Sequence, residues 1–213
     1  LFRSKGAGFL AEPQKLDQFL DQIFSKLDMK ISIKTRIGTH YEEDWEYLLA
    51  IYEKYPIHEL IIHPRIQTDM YRGVPRLGAY EKAVNRLKMP LCYNGNLFSA
   101  ADYKRITERF PDTCCFMYGR GLITNPGLVT EIREGIRPDK KTVREFHDCL
   151  FEEYRELLSG ERNVLFRMKE LWSYMAVNFT NYEKYAKKIK KSQHLSEYSS
   201  VVSSLFAEQD LID

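Results

Sequence analysis

Hydrophobic and polar positions along this chain alternate between two periods. Over residues 13–27, Leu16, Phe19, Leu20, Ile23, Phe24 and Leu27 recur at helical spacing, with Pro13 in a first turn that tolerates it. "KISIKTRIG" (30–38) then predicts a strand ended by Gly38. Trp45, Leu48, Leu49 and Tyr52 mark a helix over about 42–54, and "ELIIHPR" (59–65) a second strand. Ala83, Val84 and Leu87 mark a short helix over about 78–88, followed by a third strand, "PLCYNGN" (90–96). Ser99 and Asp102 form a capping-box pattern opening a helix at 99–109. "TCCFMYGRG" (113–121) predicts the fourth strand, and Asn125-Pro126 carries the N-cap signature of a helix over about 126–135.

Short apolar strands alternating with helices predict an α/β fold with a parallel sheet covered by helices. The repeat of about 25–35 residues is that of βα units. Four such units make half of an eight-unit barrel, which needs about 250 residues when complete. The expectation is therefore a partial TIM-type (β/α) barrel, its C-terminal half. "GIRPDKK" (135–141) reads as the boundary, and after it the strand signal disappears. Four helices follow. Val143, Phe146, Leu150, Tyr154 and Leu157 mark the first, and Val164, Met168, Leu171 and Met175 the second. Tyr182, Tyr185 and Ile189 mark the third, and Tyr198, Val201, Val202, Leu205 and Phe206 the fourth. Short loops between them predict a small all-α helical bundle. The expected domains are 1–137 and 138–213.

Composition narrows the classes. Apolar residues make up 44% and charged residues 29%, the proportions of ordinary globular material. A net charge of +2 is too small to mark a nucleic-acid binder by itself, so such a role must rest on local patches. Cys92, Cys114, Cys115 and Cys149 have no C-x-x-C spacing, so neither a metal site nor a disulfide framework is expected. No apolar stretch approaches the roughly 20 residues that span a bilayer, and none reads as a signal peptide. A cytoplasmic setting without metal or membrane is the expectation.

Functional groups of α/β barrels sit at the C-terminal ends of strands, with phosphates commonly bound after the last two. Lys34 lies on the opposite strand face from Ile31, Ile33 and Thr35; it is either a cation at the barrel mouth or a partly solvated, paired lysine. His63 ends a strand with Arg65 two residues on, which period-2 geometry puts on one face. Both suit phosphate or nucleotide binding, though a hydrogen-bonded core histidine is equally compatible. Asn94-Gly95-Asn96 is either a tight turn or a tip where the backbone can approach a ligand. Gly119-Arg120-Gly121, one unit later, adds free N–H groups and a guanidinium at a strand-to-helix junction. Taken together the two glycine-bearing tips resemble a phosphate seat. In the helical part, "YEKYAKKIKKS" (182–192) places five lysines among tyrosines, and Arg167 and Lys169 add cations one helix earlier. These could track an RNA backbone or form a solvated face.

"ISIKTRIG", "ELIIHPRIQTDMYRG", "PLCYNGNLFSAADYKRI" and "FMYGRGLITNPGLVTEI" resemble, in order and spacing, the tRNA-dihydrouridine synthases. "LFRMKELWSYM" is similar to the helical-domain motif of that family, and the likeness runs from about residue 3 to about 190. The resemblance implies an FMN-dependent oxidoreductase that reduces uridines in tRNA to dihydrouridine, with NADPH as reductant. It implies that Lys34 and His63 contact the flavin ring or its polar edge. It assigns the ribityl phosphate to Asn94, Gly95, Asn96, Gly119 and Arg120. Arg65 would face the tRNA or the flavin edge, with Arg167 and Lys169 as further tRNA contacts. The target uracil would leave its stack to lie on the flavin.

Two departures stand out. After "MYRG" the chain reads Val74-Pro75-Arg76 where a small residue and then Asp is usual, which predicts a different substrate contact for that loop. The Asn-x-Gly-Cys-Pro tip, whose cysteine protonates the uracil, has no counterpart here, and "RSKGAGFL" is similar to the segment just after it. The chain is therefore expected to be the C-terminal part of a synthase, lacking the catalytic cysteine and inactive in isolation. A noncatalytic RNA-binding fragment is the alternative outside enzymes. Another FMN- or phosphosugar-binding barrel is the alternative within them, though it would not need the lysine- and tyrosine-rich bundle. A half barrel leaves raw sheet edges and an unclosed core. Size-exclusion chromatography of the chain should therefore show self-association; a well-behaved monomer with tightly held flavin would contradict the expectation.

Overall fold

The structure, a computed structural model, describes residues 6–212, so the first three residues of "RSKGAGFL" lie outside the described residues. Two compact units emerge. The first takes in the chain up to Asn96 together with Lys104–Tyr118; the second takes in Leu97–Tyr103 and everything from Gly119 on. The linker read from the sequence at 135–141 lies within the second unit, where Pro138 packs against Gly127.

In the first unit α1 (Pro13–Lys26) leads to β1 (Ser32–Arg36), α2 (Asp44–Tyr52), β2 (Glu59–His63), α3 (Leu77–Arg86) and β3 (Leu91–Tyr93). α4 (Ala100–Arg109), which straddles the unit division, precedes β4 (Cys115–Phe116). All neighbouring strands are parallel and their order is β1-β2-β3-β4. Parallel strands laid down in sequence order, each followed by a helix, wind in one direction as a barrel does; a doubly wound sheet reverses its order partway. The fold is α/β, a four-unit partial TIM-type barrel with a helical region after it.

The register fixes which side chains share a face. Thr35, Ile37, Leu60, Ile62, Leu91 and Tyr93 point toward the helices and are all buried. Burying each large aliphatic contributes roughly 1.5–3 kcal/mol. The polar atoms in this layer are matched. Thr35 Oγ1 and the Tyr52 hydroxyl lie 2.8 Å apart, Trp45 Nε1 donates to the Ala79 carbonyl at 2.8 Å, and the Tyr80 hydroxyl meets Thr113 at 3.0 Å. The opposite face carries the in-register row Lys34, Ile61, Cys92, Cys115, and above it the pair Arg36 and His63.

The second unit continues with α5 (Arg120–Thr124), α6 (Leu128–Glu134), α7 (Lys140–Leu157), α8 (Glu161–Met175), α9 (Tyr182–Lys191) and α10 (Leu195–Glu208). Asp139 caps α7 by accepting from the Thr142 amide at 2.7 Å. One core cluster joins Val143, Val164, Met168, Leu171, Trp172, Met175, Phe179, Ile189, Tyr198, Val202 and Leu205. A polar chain runs through it. Trp172 Nε1 donates to the Tyr198 hydroxyl at 2.6 Å, that hydroxyl meets His147 Nε2 at 2.7 Å, and His147 Nδ1 meets Asp148 at 2.8 Å. Arg144 holds the same carboxylate at 2.8 Å. With the imidazole neutral and protonated on Nδ1, every donor in this chain has an acceptor.

Several boundaries differ from those read in the sequence. Each strand is shorter than its apolar run because the ladder ends where the chain turns. Gly119-Arg120-Gly121, read as the end of a strand, instead opens the five-residue helix α5. Gly121 is needed there because a Cβ would collide with the Leu97 carbonyl. Asn125 is not the N-cap of α6 but the C-cap of α5; its Oδ1 accepts from the Gly127 amide at 3.0 Å in an Asx-turn, and α6 begins at Leu128. The Ser99–Asp102 capping box forms as read, with 3.1 and 3.2 Å bonds in the two directions.

Two measurements follow from the second unit. Burial first, and Arg144 in part, hold His147 below its ordinary value against the opposing pull of Asp148. The unfolded chain therefore binds this proton more readily, so stability falls as pH drops below about 6.5, by at most ~1.4 kcal/mol per pH unit from this group. In urea unfolding at several pH values, His147→Gln should flatten that slope; an unchanged slope would contradict the role given to the imidazole. Gly121→Ala should cost roughly 3 kcal/mol by overpacking against backbone, read as a lower unfolding midpoint, and a wild-type midpoint would show the close approach to Leu97 to be dispensable.

Candidate functional site at the strand ends

In a parallel sheet all C-terminal strand ends share one rim, so β1, β2 and β3 deliver their last residues side by side. Lys34 is exposed, level with Ile61 and Cys92, one row below Arg36 and His63. Desolvation first, then the neighbouring Arg36, lower its pKa. It shares that sheet face with Arg36. His63 is buried at the end of β2, in register with Arg36, and its ring lies 6.2 Å from that of Tyr71.

Arg65 departs from the sequence reading. Period-2 geometry ends with β2, because the Arg65 amide folds back onto the His63 carbonyl at 2.7 Å. The guanidinium is fully buried and so does not face a nucleic acid. It donates to the carbonyls of Arg72 and Gly73 and, at 3.1 Å, to Asn96 Oδ1. Two further arginines hold the same loop, residues 66–76. Arg36 donates to the carbonyls of Ile66 (2.9 Å) and Met70 (3.1 Å) and lies 5.9 Å from the Tyr71 ring centroid. Arg76 forks onto Asp69 and holds that carboxyl below its usual range, while Asp69 also accepts from the Ile66 amide at 3.1 Å.

The Asn-Gly-Asn tip of β3 sits beneath this loop. Asn94 continues the ladder to the Ile62 carbonyl at 3.0 Å, and its Nδ2 donates to the Met117 carbonyl at 2.7 Å. Asn96 has a left-handed backbone, φ 32°. The space a Cβ would take at Gly95 is occupied by Pro75 and the Tyr93 hydroxyl, each 3.1 Å away. That glycine therefore admits the loop rather than a ligand on its Cβ side. Gly95 is buried, and among the described residues its amide N–H meets no acceptor.

Gly119 and Arg120 belong to the second unit. Gly119 is exposed with open space around it, and Arg120 lies 5.2 Å from the Phe98 ring centroid. Five residues of α5 are too few for a useful helix dipole, so any anion binding here falls to loop amides and the guanidinium. In the same unit Arg167 is exposed and paired with Glu170, and Lys169 is half-buried and donates to the Ser192 carbonyl. Arg162, Phe166 and Lys169 flank a recess of about 400 Å³ closed by Gln193 and His194. On α9, Tyr185 and Ile189 are buried while Lys184, Lys187, Lys188, Lys190 and Lys191 are exposed. Among the described residues none of these five lysines is in an ion pair. Tyr185 is no stacking surface, since its hydroxyl donates to Glu208 at 2.5 Å inside the bundle.

Burial pushes the Cys92 thiol up to about 12, with Glu59 adding to it, and a hydrogen bond from Cys115 to Glu59 pushes Cys115 up to about 11. Among the described residues there is no group of three His, Cys, Asp or Glu that could hold a metal ion, and no helix long and apolar enough to cross a membrane.

Comparison with known proteins accords with this arrangement. A dihydrouridine synthase family model matches residues 3–209. The "tRNA-dihydrouridine synthase B" of Pasteurella multocida (strain Pm70) is 26% identical over 137 residues, 63% of this chain and 40% of that protein. The "tRNA-dihydrouridine(16) synthase" of Shewanella oneidensis is 29% identical over 152 residues, 68% of this chain and 46% of that one. The "Probable tRNA-dihydrouridine synthase 1" of Synechocystis sp. (strain ATCC 27184 / PCC 6803 / Kazusa) is 24% identical over 220 residues, 98% of this chain and 57% of that protein. The chain thus spans about half the length of the curated relatives it matches. A match across nearly the whole chain, on a barrel-type sheet with its polar residues gathered at the strand ends, makes this chain a member of the dihydrouridine synthase family.

Proposed function

We propose that this chain supplies flavin-phosphate and tRNA contacts to an FMN-dependent reduction of uridine to 5,6-dihydrouridine in tRNA. The buried, acceptor-less Gly95 amide at the tip of β3 is the observation that carries the flavin assignment. FMN, when bound, supplies the hydride for the uracil C5–C6 bond and is recharged by NADPH. The protein's part is to bind and orient. Gly95 offers a backbone donor to the phosphate, and Asn94, Asn96, Gly119 and Arg120 are assigned to it by the family resemblance. Lys34 and His63 are assigned to the flavin ring or its polar edge. Lys34 suits a partly negative partner, because a cation already losing solvation gains most from one.

The tRNA assignment rests on α9. A helix with five exposed lysines free of carboxylates keeps its charge available to phosphates. Arg167 and Lys169 on α8 remain candidate contacts, though each is already engaged within the protein. No catalytic residue is assigned. Cys92 is buried with its thiol pushed up to about 12, which makes it a poor proton donor at neutral pH.

Titration of the chain with FMN should give the altered absorbance of bound flavin at equilibrium with a weak Kd, and Arg120→Ala should raise that Kd about tenfold or more, the effect of losing one charge-assisted hydrogen bond. A chain that stays colourless overturns the flavin assignment. Replacing Lys187 and Lys191 by Gln should weaken tRNA binding in gel shifts and reduce the slope of log Kd against log salt by about one per lost phosphate contact. An unchanged slope would remove α9 from the tRNA surface.

A further inference from the structure

We infer that Arg65 is a positioning residue for the phosphate tip: it locks the 66–76 loop onto the Asn-Gly-Asn turn so that the Gly95 amide stays aimed at a phosphate. The inference rests on the flavin reading above and assigns Arg65 a role different from a substrate contact.

Its geometry excludes direct contact. Arg65 is the one fully buried arginine among the described residues, so neither tRNA nor flavin reaches its guanidinium. Three bonds from its guanidinium join parts of this rim. Two go to consecutive loop carbonyls, Arg72 and Gly73, and one goes to Asn96 Oδ1 at 3.1 Å. The loop is thereby tied to the turn at a polar point. An apolar point lies one residue away, where Pro75 packs into the space left by the missing Cβ of Gly95. A third tie closes the loop at its far end, where the Arg76 amide donates to the Pro64 carbonyl at 2.7 Å. The turn needs such support. Asn96 holds a φ of 32°, in the left-handed region that asparagine tolerates better than most residues but that still costs backbone energy relative to negative φ. Without the guanidinium, the turn can relax and carry the Gly95 amide off line.

The fork shape matters as much as the charge. A guanidinium reaches three oxygens in fixed directions from one buried position, whereas a lysine ammonium is a single point that cannot span the Arg72–Gly73 carbonyls and Asn96 together. Arg65→Lys therefore keeps the charge and loses the clamp.

The test compares FMN with riboflavin, which has the same ring and no phosphate. Wild type should bind FMN more tightly than riboflavin. Arg65→Lys should raise the FMN Kd about tenfold, as expected for misaligned charge-assisted bonds, while leaving the riboflavin Kd within about twofold. General destabilisation would weaken both ligands together, and that outcome, or an unchanged FMN preference, overturns the positioning role while leaving the flavin reading intact. Wild type that binds neither ligand defeats the flavin reading, and the Arg65 assignment falls with it. Should Arg65→Lys fail to fold, hydrogen exchange on the wild-type chain decides. Added FMN should slow exchange in 66–76 together with 94–96, and protection confined to 94–96 overturns the coupling.

Discussion

The in-register parallel ladder of β1 to β4 is the constraint from which the remaining arrangement descends. Because partners in a parallel pair share a face, fixing Lys34 opposite Ile61, Cys92 and Cys115 fixes everything else on those strands. Thr35, Leu60, Ile62, Leu91 and Tyr93 are forced under the helices, and Arg36 and His63 are forced to the other side at the rim. A slip of one residue in β1 would bury Lys34 against Tyr52 and expose Thr35, exchanging a matched hydroxyl pair for an uncompensated cation. The ladder also sets the height of the tips: His63 ends level with Arg36, and Asn94 begins where β3 leaves the sheet.

Beyond the ladder the backbone must satisfy itself by other means, and arginines do much of this. The 66–76 loop has no regular structure except the single 3-10 turn Gln67–Asp69. Its carbonyls at Ile66, Met70, Arg72 and Gly73 are taken by Arg36 and Arg65. Met70 has φ 51°, an unusual value for its residue type, and sits where Arg36 grips its carbonyl with two nitrogens. A loop so held is a shaped surface rather than a tether. It presents Met70, Tyr71 and Val74 outward, each more than half exposed, beside the strand ends that carry Lys34 and His63. The chain's departure from its family pattern at Val74-Pro75-Arg76 falls within this surface. Pro75 is the residue that fills the hollow at Gly95, and Arg76 is the partner of Asp69.

Where the chain could be read directly, the signal was periodicity. The four long helices of the second unit, the order of strands and helices in the first, and the facing of Lys34 away from Thr35 all follow from spacing alone. The Ser99–Asp102 cap was legible because both partners lie in one helical turn. What could not be read were contacts between residues distant in sequence. Arg65 reads as a site cation because period-2 geometry would place it on the same face as His63. Its burial depends on carbonyls seven and eight residues on and an amide 31 residues on, which no local pattern records. Gly95 looked like open backbone, yet Pro75 occupies the space beside it. α5 escaped because five residues cannot show a 3.6-residue period, and a glycine sits inside them.

The second unit shows how one helix can serve a core and a charged partner at once. Tyr185 and Ile189 lie four apart on the buried side of α9, and the Tyr185 hydroxyl is consumed by Glu208. The lysines occupy the remaining positions. Several surface cations elsewhere are paired with carboxylates: Lys82 with Glu46, Lys54 with Asp17, Arg86 with Glu53, Arg144 with Asp148. On α9 the only acid is Glu183, in the first turn, where it favours the helix dipole rather than the lysines of the last turn. Three of those lysines, Lys188, Lys190 and Lys191, crowd the C-terminal turn, where the dipole offsets part of their mutual repulsion. Stability alone would be served by interspersed glutamates at i,i+4 spacing, as on α7. Leaving the lysines without carboxylates keeps their charge available on the surface, as the proposed tRNA contact requires.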